Sequence, residues 1–245
     1  IIEIESGEEK KTLDTCVQIW KELTDNHYER KSLLVNLGGG VIGDMGGFCA
    51  ATYKRGIDFI NIPTTLLSQV DASVGGKLGI DFLGFKNHIG TFELPRKVFI
   101  DTKFLKTLPG RELRSGFAEV IKHCLIADKD YWEIVSNVDF KDQNWPDIVN
   151  HSVKVKNEVV EEDPFEKGRR KILNFGHTIG HAIESYFLQK DEQRLLHGEA
   201  IAAGMICEAY LSEKFCTLPE SSVKSIENYI IKTFGHIRIS KEDID

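Results

Sequence analysis

The stretch "SLLVNLGGGVIGDMGGFCAATY" constrains this chain more than any other. A short apolar run reaches three consecutive glycines, and a helix-forming stretch begins at once. A strand that turns directly into a helix over glycine belongs to a layered α/β unit, in which the crossover helix packs back onto a parallel sheet. Two more short apolar runs fit the same sheet, "FINIP" closing on a proline and "KVFID". The opening "IIEIE" reads as another strand-like piece, and "KKTLDTCVQIWKELTDN" has helical spacing with Leu13, Val17, Trp20 and Leu23 on one stripe. Residues 1–109 are therefore expected to form an α/β domain.

Gly38, Gly40 and Gly43 satisfy the G-x-G-x-x-G pattern, in which missing Cβ atoms and free N–H groups at a helix start admit a phosphate. The pattern alone is weak, because glycine-rich strand-to-helix turns also occur without ligands. An acid for the adenine ribose should follow about 20 residues later at a strand end. Asp58 is the nearest candidate and a poor match, since it stands early in its run.

Beyond Pro109 and Gly110 the period changes to that of helices. "RELRSGFAEVIKHCLIAD", "PDIVNHSVKVKNEVVEED", "ILNFGHTIGHAIESYFLQ", "HGEAIAAGMICEAYLSEKF" and "SVKSIENYIIKTF" follow one another, separated by Gly, Pro or Asp. Residues 110–245 are expected to be an all-helical domain. Three of these stretches carry polar groups among apolar ones: Glu119 with Lys122 and His123, His177 with His181, and His197 with Glu199. Carboxylates and imidazoles from separate helices can build a metal centre. At i and i+4, His177 and His181 share a helix face, and that spacing permits two metal ligands, a substrate contact or plain packing.

With 245 residues, 41% of them hydrophobic, the chain can bury the core of one large or two smaller domains. A formal charge of −7 argues against a nucleic-acid surface, but a local cationic pocket can still hold a small anion. Candidates for such a pocket are Arg55, Lys77, Lys86, Lys154, Lys156, Arg169 and Arg170. The five cysteines include no C-x-x-C pair, which points to reduced thiols in place of a disulfide framework or a cysteine zinc site. No apolar run approaches the roughly 20 residues of a membrane span, and the first residues lack a signal peptide's order. A soluble cytoplasmic protein without membrane partners is expected.

In this order, "GGGVIGDMGGFCAATYKRGIDFINIPTTLLSQVDASVGGKLGID", "KNHIGTF", "SGFAEVIKH", "GRRKILNFGHTIGHAIE" and "HGEAIAAGM" resemble the 3-dehydroquinate synthase family, over residues 7–214. The resemblance implies a Rossmann-like NAD-binding domain, a helical metal- and substrate-binding domain, NAD, a divalent metal (Zn2+ or Co2+) and a homodimer. The implied reaction turns an anionic sugar phosphate, 3-deoxy-arabino-heptulosonate 7-phosphate, into 3-dehydroquinate and phosphate in the shikimate pathway. On this chain the implied metal ligands fall on Glu119, His177 and His197. The NAD contacts fall on Glu8, Lys11, Gly39, Gly40, Asp44, Thr64, Thr65, Asp71, Lys86 and Thr107. The substrate contacts fall on Asp71, Lys77, Asn87, Lys122, Lys156, Arg170, Asn174 and His181, with Arg55 reaching across the dimer.

Family members extend further at both ends, with first strands and a ribose acid upstream and a substrate-binding lysine downstream. The chain is thus expected to be the middle of such an enzyme. Rival readings are another sugar-phosphate cyclase resembling 2-deoxy-scyllo-inosose synthase, a metal-dependent polyol dehydrogenase, and a truncated chain that binds without turnover.

Overall fold

The computed structural model describes residues 1–188 and 194–237. They group into two compact units, Ile1–Pro109 with Val149–Val160, and Gly110–Ile148 with the residues from Glu161 onward.

In the first unit, β1 (Leu33–Gly38), β2 (Asp58–Pro63) and β5 (Lys97–Val98) form a parallel sheet in the order β1-β2-β5. The helix α2 (Gly40–Thr52) connects β1 to β2. Met45 through Ala50 are all buried, as suits a helix enclosed on every side. Asn36 and Asn61 stand opposite each other on β1 and β2, and the Asn36 amide donates to the Asn61 side-chain oxygen at 3.0 Å. Each thus satisfies a buried polar group that the apolar interior could not. An antiparallel hairpin, β3 (Lys77–Phe82) and β4 (Phe85–Phe92), completes the unit.

Three details depart from the sequence reading. The opening "IIEIE" forms no strand. The helix α1 (Leu13–Asp25), capped by the Thr12 hydroxyl, buries Cys16, Ile19 and Leu23, whereas Leu13 and Val17 are exposed. The stripe lies one position round the helix because Cys16 and Ile19 meet Cys49, Phe48 and Met45 of α2 in one core. The third strand run, "KVFID", is reduced to two paired residues.

The helices of the second unit are α3 (Gly110–Ala127), α4 (Lys129–Ser136), the start of α5 (Trp145–Glu162), α6 (His177–Leu188), α7 (His197–Phe215) and α8 (Glu220–Phe234). The middle of α5 clusters with the first unit. Asp128 caps α4 by accepting from the Tyr131 N–H at 2.9 Å. Phe117 of α3 lies edge-on to Phe140 and Trp145, an aromatic cluster that anchors α3. No helix among the described residues is long and apolar enough to cross a membrane.

The α3, α6 and α7 backbones approach more closely than side chains allow. A Cβ on Gly198 would lie 1.8 Å from the Ser115 carbonyl oxygen, and one on Gly204 would lie 2.0 Å from that of Gly176. The Gly198 N–H also donates to the Ser115 hydroxyl at 3.0 Å. Since the obstacle at Gly198 is backbone, Gly198→Ala must push α7 off α3. We expect a loss of about 1–3 kcal/mol, the usual cost of overpacking, read as a lower urea midpoint at unchanged m-value. An unchanged midpoint would show that the two helices do not touch at this position.

Candidate active site

Ten consecutive residues of α3, Ser115–Cys124, are buried, and three of them are Glu119, Lys122 and His123. Charged side chains inside a helix bundle are costly unless partnered. Lys122 meets the Glu119 carboxylate through Oε2, one turn along the same helix. The other oxygen, Oε1, lies 3.5 Å from His177 Nε2 and 3.6 Å from His197 Nε2.

Both histidines are the first residues of their helices, α6 and α7. Each ring is held at Nδ1, leaving Nε2 turned toward Glu119. His177 Nδ1 lies 3.2 Å from the Phe175 carbonyl oxygen, and His197 Nδ1 lies 3.5 Å from Glu184 Oε2. The helix starts are themselves fixed. Glu208 of α7 accepts from the Gly176 N–H at 2.8 Å and caps α6 at His177. At the start of α7, Glu199 accepts from the Leu196 N–H at 2.8 Å and receives two bonds of 2.7 Å from Arg111 of α3. Glu199, conspicuous in the sequence beside His197, therefore serves the helix start and not the ligand cluster.

The set Glu119, His177 and His197 fits a divalent cation. Metal bonds of about 2.0–2.2 Å to carboxylate and imidazole in a tetrahedral site place donor atoms roughly 3.3–3.6 Å apart, and the two observed separations are 3.5 and 3.6 Å. One carboxylate and two imidazoles leave coordination positions open for a substrate. Burial holds the His177 imidazole below its usual pKa, favouring the neutral form that a metal needs. Burial works in the same direction on His197, but its bonds to Glu119 and Glu184 outweigh it and raise the group to about 9.

His181 is on the same face of α6, exposed, with its ring centroid 5.2 Å from that of His177 and 5.8 Å from that of His197. The i, i+4 pair is thus split: His177 Nε2 faces the buried carboxylate, and His181 stands at the open side of the cluster. Arg170 is buried, its guanidinium donating to the Pro164 carbonyl at 2.6 Å, and Asn174 donates to Glu166 at 2.7 Å.

The first unit gathers most of the other candidates. At the α2 start, Gly39 is the N-cap and offers no side-chain cap, leaving the first N–H groups available to an anion. A Cβ on Gly39 would meet Thr65 at 3.1 Å, and one on Gly40 would meet Ala72 at 3.3 Å, so the turn is kept narrow. The neighbouring Thr64 donates its N–H to Gly38. Lys11, almost fully buried, donates to Asp44 at 2.6 Å and to the Asn87 side-chain oxygen at 2.5 Å. Burial opposes charge on Lys11, yet Asp44 and Glu8 outweigh it and hold the ammonium above its usual range. Lys86 lies 3.7 Å from Glu8. Lys156, on the part of α5 that belongs to this unit, pairs with Asp71 at 2.7 Å.

Three further candidates are exposed. Lys77 is exposed at the start of β3, and Thr107 is exposed with its hydroxyl on the Phe104 carbonyl. Arg55 is exposed in a run of three residues with positive φ, Lys54 at 50°, Arg55 at 70° and Gly56 at 111°. Asp58 begins β2 and pairs with Arg96 at 2.8 Å, a surface role. The sequence reading gave no role to Glu184, Glu208 or Asp81. Asp81 accepts from the Asn87 N–H at 2.8 Å and so fixes the residue that Lys11 holds.

Comparison with known proteins agrees with this geometry. The family model "3-dehydroquinate synthase N-terminal" matches residues 1–115, and "3-dehydroquinate synthase C-terminal" matches residues 116–245. A 3-dehydroquinate synthase from Parabacteroides distasonis is 48% identical over all of this chain and 70% of its own length. Among solved structures, a 2-deoxy-scyllo-inosose synthase complexed with carbaglucose-6-phosphate, NAD+ and Co2+ superposes with a TM-score of 0.87 at 30% identity, over all of this chain and 68% of that one. The 2-epi-5-epi-valiolone synthase of Streptomyces hygroscopicus, with NAD+ and Zn2+ bound, also reaches 0.87 at 26% identity, over 98% of this chain and 69% of that one. The α/β unit with its glycine turn, the helical unit with its buried carboxylate and paired imidazoles, and the match over both halves agree: the chain belongs to the 3-dehydroquinate synthase family.

Proposed function

We propose that this chain converts 3-deoxy-arabino-heptulosonate 7-phosphate into 3-dehydroquinate and inorganic phosphate. The observation that carries the reading is the convergence of Glu119, His177 and His197 beside Lys122 and His181, in a chain of this family. Residues 1–109 are read as the NAD-binding domain and residues 110–245 as the metal- and substrate-binding domain. Glu119, His177 and His197 hold a divalent cation, Zn2+ or Co2+. When bound, the cation supplies Lewis acidity toward a ring hydroxyl, and NAD supplies a hydride acceptor that is restored within the cycle.

The chain's own groups bind, orient and move protons. Gly39 and Gly40, with Thr64 and Thr65 beside them, form the turn for the cofactor's phosphates, flanked by Glu8, Lys11, Asp44, Lys86, Asp71 and Thr107. Lys122, whose Nζ lies against the Glu119 carboxylate, positions or shuttles protons beside the ligand cluster. His181 takes and returns a proton at the open side of the cluster. Lys156 and Arg170 bind the substrate carboxylate, the guanidinium offering a planar fork. Lys77 and Asn87 bind its phosphate together with the partner's Arg55, and Asn174 makes a further substrate contact.

The protein acts as a homodimer in which Arg55 of each chain reaches the partner's site. Support for this role is the strain at Arg55, since non-glycine residues with positive φ cost of order 1–3 kcal/mol and persist where function needs them. Free thiols at all five cysteines fit a reducing, cytoplasmic setting. A cyclase making 2-deoxy-scyllo-inosose is the second reading, favoured by the fold match; the higher identity to 3-dehydroquinate synthases ranks it lower.

Three outcomes test this reading. His177→Ala should abolish stoichiometric metal binding measured by metal analysis after dialysis, whereas His181→Ala should keep the metal and lower phosphate release by about 100-fold or more, as loss of a general acid–base does. Equal metal loss in both would make His181 a ligand. With NAD and metal supplied, phosphate should accumulate over many turnovers while NADH absorbance stays flat; NADH rising in step with product would assign the chain to the polyol dehydrogenases. Mixing Arg55→Ala chains with His181→Ala chains should restore part of the activity in mixed dimers, and none if Arg55 serves its own site.

A further inference from the structure

Glu184 lies two turns along α6 from His177, almost fully buried, between the buried apolar side chains of Ile183 and Phe187. Its neighbours Ile183 and Phe187 pack with Ala200, Ile179, Tyr186 and Leu195 in one hydrophobic cluster. A carboxylate kept there forgoes its hydration, so an apolar or amide side chain of similar volume would cost less unless the charge is used.

One use is visible. Glu184 Oε2 lies 3.5 Å from Nδ1 of His197, while Nε2 of the same ring lies 3.6 Å from Glu119. The two nitrogens of an imidazole cannot both be lone-pair donors in the neutral ring, and the acceptor at one fixes the role of the other. A carboxylate at Nδ1 keeps the proton there, leaves the lone pair on Nε2 and makes that nitrogen a stronger donor. The second ligand histidine is treated differently: His177 Nδ1 faces a neutral acceptor, the Phe175 carbonyl, at 3.2 Å.

We infer that Glu184 is a positioning residue for the metal centre, fixing the tautomer and orientation of His197 without binding the cation itself. The inference rests on Glu119, His177 and His197 being the ligands. The competing arrangement is a second cation held by His181, Glu184 and His197, whose ligand atoms lie within 4.8 Å of one another; in it Glu184 would be a ligand, and metal stoichiometry separates the two.

The test compares the unaltered chain with Glu184→Gln, Glu184→Ala and His177→Ala. Zn2+ and Co2+ affinities are measured by competition with a chromophoric chelator, stoichiometry by metal analysis, and thermal midpoints with and without metal. Glu184→Gln is nearly isosteric and should not lower the metal-free midpoint, since the amide costs less to bury than the carboxylate. It should still weaken the metal about 10–100-fold, the range found when such supporting carboxylates are removed, and shrink the metal-induced rise in midpoint. Glu184→Ala should weaken the metal at least as much, with one metal per chain retained in both at saturation. Unaltered affinity in Glu184→Gln would reduce Glu184 to a packing role and overturn the inference. A fall from two metals to one would make Glu184 a ligand and overturn it equally. Metal binding indifferent to His177→Ala would instead sink the underlying ligand assignment, a result separable from either.

Discussion

Taking the Glu119 carboxylate out of water costs several kcal/mol even after the protein relaxes around it, and much of the helical unit is arranged around meeting that cost. Lys122 from the same helix faces one oxygen, and His177 and His197 from two other helices face the other. No single helix could supply all of these partners, so α3, α6 and α7 must converge on one atom pair. Gly198 and Gly204 permit that convergence, and the Arg111–Glu199 and Glu208–Gly176 bonds fix the helix starts from which the imidazoles project. The fold of this unit and the chemistry of its ligand set are therefore one problem.

The first unit meets a comparable problem differently. Its buried cation, Lys11, binds Asp44 from α2 and Asn87 from the hairpin, and Asp81 grips the Asn87 backbone. Residues assigned to cofactor and to substrate are thus cross-linked to each other, and the hairpin is held to the helix that starts at the glycine turn. Lys156 and Asp71 form a second such bond. Charged groups already paired in this way lose little conformational freedom when a ligand engages them, which is the physical content of preorganisation.

Much of this was legible in the sequence, and the limits have physical causes. The strand, glycine turn and helix at residues 33–52 were readable because local period and turn chemistry agree. On α1, two overlapping stripes compete, Leu13, Val17 and Trp20 against Cys16 and Ile19, with Leu23 common to both. Only the tertiary partner, the α2 face with Met45 and Cys49, selects the second. Spacing alone left His177 and His181 equivalent, since both lie on one face of α6. What separates them is the arrival of Glu119 from a helix distant in sequence, which no local periodicity records. Glu184 was visible as an acid three residues after His181, but its role depends on the ring of His197 lying against it.

The placement of both imidazoles that face Glu119 at the first position of a helix turns those helices into levers. At 1.5 Å per residue, α6 with 12 residues and α7 with 19 are about 18 and 28 Å long. Metal–ligand distances tolerate deviations of about 0.2 Å, which over such arms corresponds to a tilt of only about half a degree pivoted at the far end. Angular precision of that order cannot come from flexible side chains, which yield by tenths of an ångström at little cost. It requires contacts between backbones, such as the Gly198–Ser115 and Gly204–Gly176 approaches that stand near the ligand ends of the two arms. With the helices pinned near those ends, a substitution at Gly198 or Gly204 would displace the imidazoles directly, whereas one at the remote end of α7 would reach them only weakly.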